Sequence, residues 1–167
     1  IDDYVSVNDS DSLDLQTVTM SAWVRTSSLG PMDIVSKGYD WTETPLNYKL
    51  VSANNAVDVE WRGGWAQTDS TGLVQNGKWH HVVGILDSSS NTTLIYIDGI
   101  FRSVTRGGNT TVNMVSNTIS LLIGRSGSPN YPYYFNGTID EVKIYDRALS
   151  ADQIWAEYAR ALIAIQT

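Results

Sequence analysis

The sequence predicts an all-β fold of two packed antiparallel sheets, closed by one short C-terminal helix. Short runs of alternating polarity, rich in Val, Ile, Thr, Tyr and Trp, recur along the 167 residues between clusters of Gly, Asn, Asp and Ser. Helical periodicity is nearly absent before residue 150. Asp98 and Gly99 separate two apolar runs and both tolerate positive φ, which is typical of a type I′ hairpin turn. These observations together indicate a β-sandwich.

Ten strands follow from this pattern. They are predicted at residues 4–7, 17–26, 33–37, 47–52, 56–62, 79–86, 92–97, 100–105, 119–125 and 135–146. The helix is predicted from a capping box, in which Ser150 accepts from an amide and Gln153 bonds back. Ile154, Trp155 and Tyr158 follow at a spacing that forms an apolar stripe, so we expect the helix to pack on the sandwich.

Length and composition predict a single domain over residues 1–167 and exclude several classes of partner. The formal net charge is −7 and the 11 basic residues are scattered, so nucleic acid and anionic lipid are not expected as partners. No apolar run approaches the ~18 residues of a membrane helix, and we therefore expect no membrane insertion. The chain has 0 cysteines, which excludes a disulfide framework, a thiol nucleophile and a thiolate metal site.

Four stretches resemble, in the same order, the laminin G-like and pentraxin-like domains of the concanavalin A-like fold. They are residues 18–24 (VTMSAWV), 77–83 (GKWHHVV), 94–99 (LIYIDG) and 135–154 (FNGTIDEVKIYDRALSADQI). The resemblance implies a two-sheet jelly-roll sandwich that forms part of a larger protein. It also implies a role outside the cell or at its surface in binding carbohydrate or cell-surface proteins, although a fold alone does not settle a function.

One charged strand face and two loop tryptophans predict carbohydrate binding. Asp58, Glu60 and Arg62 alternate with apolar residues, so strand geometry places all three charges on one face. Trp41 and Trp65 lie in polar, glycine-containing stretches that we interpret as loops. Sugars present apolar C–H faces to aromatic rings and hydroxyls to polar side chains. The alternative is that these aromatic rings pack over the end of the sandwich.

A second aromatic loop is a further candidate for the ligand site. Tyr131, Tyr133 and Tyr134 fall within five residues that also contain Asn130 and Pro132. Such a cluster can stack on a sugar, or it can close the end of the sandwich as a lid.

The alternating carboxylates of this strand are the best evidence for catalysis, but the third position of the pattern argues against an enzyme. The resemblance implies that a glycoside hydrolase of this fold would carry carboxylates at three alternating positions. Here Arg62 replaces the third carboxylate, and a cation at that position would lower the pKa of the neighbouring acid. We therefore assign no catalytic residues and keep a glycoside hydrolase as the less favoured alternative.

Calcium is the one cofactor that the sequence suggests. Asp9, Asp11 and Asp14 crowd a turn near the beginning of the chain, and Asp140 lies in the predicted closing strand; of these, Asp9, Asp11 and Asp140 are the candidate ligands. The resemblance implies a structural calcium held by an aspartate of that strand and by carbonyl groups near the chain start, since calcium prefers oxygen ligands. The alternative is that the acidic turn is solvated and that Asp140 bonds to backbone amides.

Two functions remain open at this point. The first is a carbohydrate-binding module of a larger extracellular enzyme or surface protein. The second is an adhesion or assembly domain whose exposed aromatic residues bind protein, including self-association into a filament. Binding to a glycan array would favour the first, and concentration-dependent association would favour the second.

Overall fold

The computed structural model describes residues 3–39, 45–69 and 74–165. Two antiparallel sheets pack face to face, and a single helix α1 (Ala151–Ile165) follows the last strand. The larger sheet contains, in spatial order, β1 (Val5–Val7), β11 (Leu121–Ile123), β3 (Met32–Gly38), β4 (Leu46–Ala53), β5 (Ala56–Trp61), β6 (Gly64–Thr68) and β10 (Val104–Gly108). The smaller sheet contains β12 (Thr138–Tyr145), β2 (Thr17–Arg25), β7 (Trp79–Asp87), β8 (Thr92–Ile97) and β9 (Ile100–Arg102). The predicted jelly-roll sandwich is confirmed.

The core lies between the inner faces of the two sheets. Along β5, Val57, Val59 and Trp61 are fully buried in this core, whereas the residues between them face outward. Each such aliphatic side chain contributes roughly 1.5–3 kcal/mol by leaving water. Gly84 on β7 allows the sheets to approach closely, because a Cβ atom there would lie 2.3 Å from Val59 Cγ1.

The strand predictions differ from the structure in two places. The sequence does not predict strand β6, because Gly63 and Gly64 indicate a loop. In the structure Gly64 is the first residue of this strand. A glycine is required there, because a Cβ atom would lie 2.1 Å from the Asn109 carbonyl oxygen. The strand predicted at residues 100–105 is two strands in different sheets, since β9 pairs with β8 and β10 pairs with β6. The chain therefore crosses from one sheet to the other at Ser103.

Two local predictions are confirmed. Asp98 and Gly99 have φ values of 53° and 74° and connect β8 to β9. The Ser150 amide donates to Gln153 Oε1 at 3.0 Å and the Gln153 amide donates to Ser150 Oγ at 3.3 Å, which completes the capping box. Within the described ranges, no helix is long and apolar enough to cross a membrane.

Helix α1 packs on the outer face of the five-stranded sheet. Ile154 is fully buried there against Val83, Ile85 and Tyr96. The predicted apolar stripe is narrower than expected, because Trp155 is 53% exposed and lies near the β8–β9 turn and its helix neighbour Tyr158. The helix thus covers one part of this sheet face and leaves the part nearer the β12 edge accessible.

Candidate functional site

A row of charged side chains crosses the outer face of the seven-stranded sheet. The row consists of Asp33 on β3, Lys49 on β4, and Glu60 and Asp58 on β5, and we call it the charged row. Lys49 Nζ lies 2.7 Å from Asp33 Oδ2 and 3.6 Å from Glu60 Oε2. Each member alternates with core residues along its strand, and the register pairs Lys49 directly with Glu60. Strand pairing therefore assembles side chains that are distant in sequence.

Asp58 is the member of the row whose hydrogen bonding is incomplete. Gln67 Nε2 donates to Asp58 Oδ2 at 3.1 Å, while the buried Oδ1 atom has no hydrogen-bond partner among the described residues. The residue is 8% exposed, and burial raises the pKa of Asp58 to about 7. An unsatisfied buried polar atom costs about 1–3 kcal/mol. Near neutral pH this carboxyl group can donate or accept a hydrogen bond.

Trp65 provides an aromatic surface at the accessible end of the row. It lies on β6 directly opposite Glu60, so its side chain shares the outer face. It packs over Gly107 of β10, where a Cβ atom would lie 2.3 Å from Trp65 Cζ2. Trp65 is half-buried, whereas Asp33 at the other end is fully buried. The expectation that Trp65 lies in a loop is wrong, although its side chain does join the predicted carboxylates.

Arg62 does not belong to this face. Strand β5 ends at Trp61, and Arg62 and Gly63 form the exposed turn to β6. Strand alternation therefore stops one residue before Arg62, and the cation of the row is Lys49 instead. The expected lowering of an acid's pKa by Arg62 is also wrong for Asp58, whose pKa burial raises.

Two of the three predicted tyrosines lie beside the charged row. Tyr131 and Tyr133 stack with ring centroids 5.8 Å apart and an interplanar angle of 17°. The Asp33 amide donates to the Tyr133 carbonyl oxygen at 3.2 Å, which fixes this loop beside the β3 end of the row. The backbone of this loop and Trp65 thus lie at opposite ends of the row, since β3 and β6 are about 14 Å apart across three strand spacings.

Tyr134 and Trp41 are not part of this arrangement. Arg125 lies between two aromatic rings, with its guanidinium carbon 5.0 Å from the Tyr4 ring centroid and 5.3 Å from that of Tyr134. The Tyr134 ring is therefore engaged within the protein, away from the row. Trp41 lies outside the described residues.

The predicted calcium ligands are not brought together. Asp9 Oδ1 lies 2.6 Å from Lys37 Nζ, and Asp11 begins an exposed 3-10 turn. Asp140 lies on the other sheet, where its Oδ1 accepts from the Glu141 amide. Over residues 3–39, 45–69 and 74–165, no three His, Cys, Asp or Glu side chains form a group that could hold a metal ion. Calcium binding itself stays a prediction, for which thermal stability in calcium and in EDTA is the measurement.

Sequence reasoning missed Asp33, Lys49 and Gln67. A signal was present for the first two, because each interrupts an apolar run: Met32 and Ile34 flank Asp33, and Tyr48 and Leu50 flank Lys49. A charge between core residues on a predicted strand indicates an outward-facing position. Which charges become neighbours depends on register, and the sequence does not show register.

Comparison with known families identifies the superfamily. Residues 1–155 match the family model described as the concanavalin A-like lectin/glucanases superfamily. The chain belongs to this superfamily. The match confirms the laminin G-like and concanavalin A-like resemblance of the sequence, and it spans both sheets of the sandwich. No curated protein matches the chain.

Solved structures share the concanavalin A-like fold at low sequence identity. The CBM40 domain of the Ruminococcus gnavus IT-sialidase is 16% identical with a TM-score of 0.71, and the match covers 95% of this chain and 94% of that chain. A candidate carbohydrate binding protein from Bacteroides ovatus is 20% identical with a TM-score of 0.69, covering 91% of this chain and 43% of that one. The receptor binding domain of a botulinum neurotoxin mosaic serotype C/D is 17% identical with a TM-score of 0.61, covering 94% and 40%. The chain therefore spans less than half of the latter two proteins.

Proposed function

We propose that this chain is a non-catalytic carbohydrate-binding module that binds a saccharide at the charged row and Trp65. The observation that carries the proposal is the Oδ1 atom of Asp58, which is buried without a hydrogen-bond partner beside a half-buried indole. Because this atom is buried in the unbound chain, we infer that binding uncovers it; a saccharide hydroxyl group then supplies the missing hydrogen bond, while the C–H face of the same ring contacts Trp65. The structurally similar CBM40 domain, which has been solved in complex with α2,3- and α2,6-sialyllactose, supports this class of ligand.

The charge of the row favours a neutral saccharide. The row contains three carboxyl groups, of Asp33, Asp58 and Glu60, and one ammonium group, of Lys49, which lies near the carboxylates of Asp33 and Glu60. A sugar that carries its own carboxylate would meet net negative charge here, and like charges repel. We therefore propose a neutral, hydroxyl-rich polysaccharide or glycan, encountered outside the cell by a larger protein that contains this module.

One observation favours a second candidate, a glycoside hydrolase. Asp58 has its pKa raised to about 7, which suits a general acid, and Glu60 shares its strand face. Glu60 Oε2, however, lies 3.6 Å from Lys49 Nζ, and no third carboxylate continues the row along β5. These features support binding over hydrolysis.

A screen against neutral polysaccharides and a glycan array, with sialyllactose included, tests the proposal. We expect saturable binding of a neutral saccharide by the wild-type chain and a loss of at least about tenfold in affinity for Trp65→Ala and for Asp58→Asn. The matched control is Trp155→Ala, because Trp155 is an exposed tryptophan on α1 and lies on the opposite sheet. Release of new reducing ends would establish the hydrolase instead. Absence of binding by a folded chain would overturn the proposal and favour protein adhesion.

A further inference from the structure

We propose a second saccharide-binding site on the opposite side of the sandwich, in a groove between the outer face of the five-stranded sheet and helix α1. The groove has a volume of about 390 Å³, which falls within the range of small-molecule sites. Its walls are the indoles of Trp23 on β2 and Trp79 on β7. Its rim carries acids and bases, which include Asp140, Lys143, Glu157 and Arg160.

The aromatic walls are held in place before any ligand binds. Trp23 stacks on Tyr158 of α1 with ring centroids 5.8 Å apart and an interplanar angle of 16°. The Arg25 guanidinium carbon lies 5.2 Å from the Trp79 ring centroid. Each indole is therefore fixed by a neighbour, and a ligand would not have to order either ring, which reduces the entropic cost of binding.

A bulge in β12 shapes the rim. Asp140 pairs with Trp23, but the next registered pair is Lys143 with Ser21, so β12 contains one extra residue. Glu141 within the bulge has φ of 50°, a left-handed conformation that is uncommon for a residue with a long side chain and costs about 1–2 kcal/mol. Such strain is concentrated at functional sites, and this bulge places Asp140, Glu141 and Lys143 together along the groove.

The helix contributes the other half of the rim. Glu157 accepts a hydrogen bond from Ser21 Oγ at 3.2 Å and a second from the Tyr145 hydroxyl, so its position is fixed against the sheet. Arg160 follows one turn later on the same side of α1 and is exposed.

The mixture of donors and acceptors indicates the ligand class. An anion would need donors only, and an organic cation would need acceptors only. This rim presents carboxylates and cations side by side around two indole walls. Saccharide hydroxyl groups both donate and accept, and the C–H faces of the ring contact aromatic walls, so a saccharide uses every feature of the groove.

A second cavity lies at the Arg25 end of β2. This cavity has a volume of about 700 Å³ and is lined by Arg25, Thr26, Tyr134 and Asn136 among others. Arg25 connects the two cavities, because it lines the second and lies over Trp79 in the first. A longer saccharide would therefore contact both cavities, and we expect affinity to rise with chain length.

The test uses nuclear magnetic resonance on the chain with Trp65→Ala, which weakens binding at the charged row, and the groove is observed through its own tryptophan signals. Cellotriose, xylotriose, mannotriose and N-acetylchitotriose are titrated, and the indole N–H signals of Trp23 and Trp79 are followed. We expect at least one probe to shift both signals saturably, and the single-sugar counterpart of that probe to bind more weakly. Replacing Lys143 and Arg160 together by Ala should weaken that binding about tenfold.

Controls separate this site from the site of the proposed function. The Trp61 indole, which is fully buried and belongs to the other sheet, should not shift. Arg62→Ala should bind the probe like its parent, because Arg62 lies in an exposed turn of that sheet. Saturable shifts in the Trp65→Ala background would support the groove even if the charged row bound nothing. The inference is overturned if no probe shifts the Trp23 and Trp79 signals, or if the double alanine variant binds unchanged.

Discussion

Two lysines are buried in the neighbouring strands β3 and β4, and their surroundings differ. Lys37 is fully buried, and five oxygen atoms surround its ammonium group. These atoms are Asp9 Oδ1 at 2.6 Å, Ile119 O at 2.8 Å, Asn117 O at 3.0 Å, Asn117 Oδ1 at 3.2 Å and Asp14 Oδ1 at 3.3 Å. The ammonium group thus joins the N-terminal segment and residues 117–119 to β3.

Lys49 belongs instead to the charged row, in which Asp58 retains a buried oxygen atom without a partner. The presence of a buried charged group that makes all its hydrogen bonds, such as the Lys37 ammonium group, needs no explanation beyond its structural role in the fold. A buried carboxyl group with an unsatisfied atom, next to an accessible indole, needs a further explanation, and ligand binding supplies it. The two clusters therefore differ at their central groups: five oxygen atoms surround the Lys37 ammonium group, whereas one oxygen atom of the Asp58 carboxyl group has no hydrogen-bond partner among the described residues.

The largest expected effect is the loss of stability on replacing Lys37, the lysine of the structural cluster. Lys37→Met removes the ammonium group that donates to three oxygen atoms of Asn117 and Ile119. We expect the free energy of unfolding to fall by about 4 kcal/mol, because each of these oxygen atoms loses a donor, whereas water can reach the partly exposed Asp9 and Asp14. Urea denaturation measures this loss. Lys143→Met is the control, since that lysine pairs at 3.4 Å with an exposed glutamate and should change stability by less than about 0.5 kcal/mol. Equal effects of the two substitutions would contradict the distinction.

The pH dependence of stability should identify Asp58. Because its pKa rises from 3.8 unfolded to about 7 folded, the unfolded chain binds fewer protons than the folded chain between these values. The contribution of Asp58 to stability is therefore greatest below pH 4 and is lost as the pH rises to about 7. Over this window we expect Asp58→Asn to become more stable relative to the wild type by about 3 kcal/mol, measured by urea denaturation at successive pH values. A difference that stays constant with pH would mean that burial does not perturb this carboxyl group.

A smaller effect should follow from moving Trp65 without changing any charge. In Gly107→Ala, the new Cβ atom would lie 2.3 Å from Trp65 Cζ2, so the indole must shift. We expect a loss of about 1–3 kcal/mol in stability and about tenfold in saccharide affinity. Gly30→Ala is the matched control, because a Cβ atom there meets only Ser28 Oγ at 4.0 Å. Saccharide affinity that survives Gly107→Ala would remove Trp65 from the site.

Local signals predicted most of the fold, and side-chain alternation predicted part of the site. The Ser150 cap and the turn at Gly99 form as expected because each is specified by a few adjacent residues. Asp58 and Glu60 share a face, as alternation predicts. Lys49 was missed because it reaches Glu60 only through the β4–β5 register, which depends on the packing of the whole sheet.

The aspartates expected to bind calcium show a second limit of sequence reasoning. The resemblance predicts that Asp9 and Asp140 share a calcium site, because the first and closing strands of such folds can be neighbours. In the structure β1 pairs with β11 in one sheet, and β12 pairs with β2 in the other. Lys37 lies 28 residues from Asp9 in sequence and nevertheless provides its cation. Only the tertiary fold makes this pairing visible.

Arg62 gives the smallest expected effect and the sharpest test of where the charged row ends. If β5 continued through Arg62, this residue would share the face of Asp58 and Glu60, and its removal would weaken saccharide binding and raise the pKa of an acid. The structure ends β5 at Trp61 and leaves Arg62 exposed in the turn. We therefore expect Arg62→Ala to change the free energy of unfolding by less than about 0.5 kcal/mol and saccharide affinity by less than about twofold. Calorimetric titration of Arg62→Ala beside Lys49→Met makes the comparison direct, since the lysine substitution should abolish binding by leaving Asp33 and Glu60 without their shared cation.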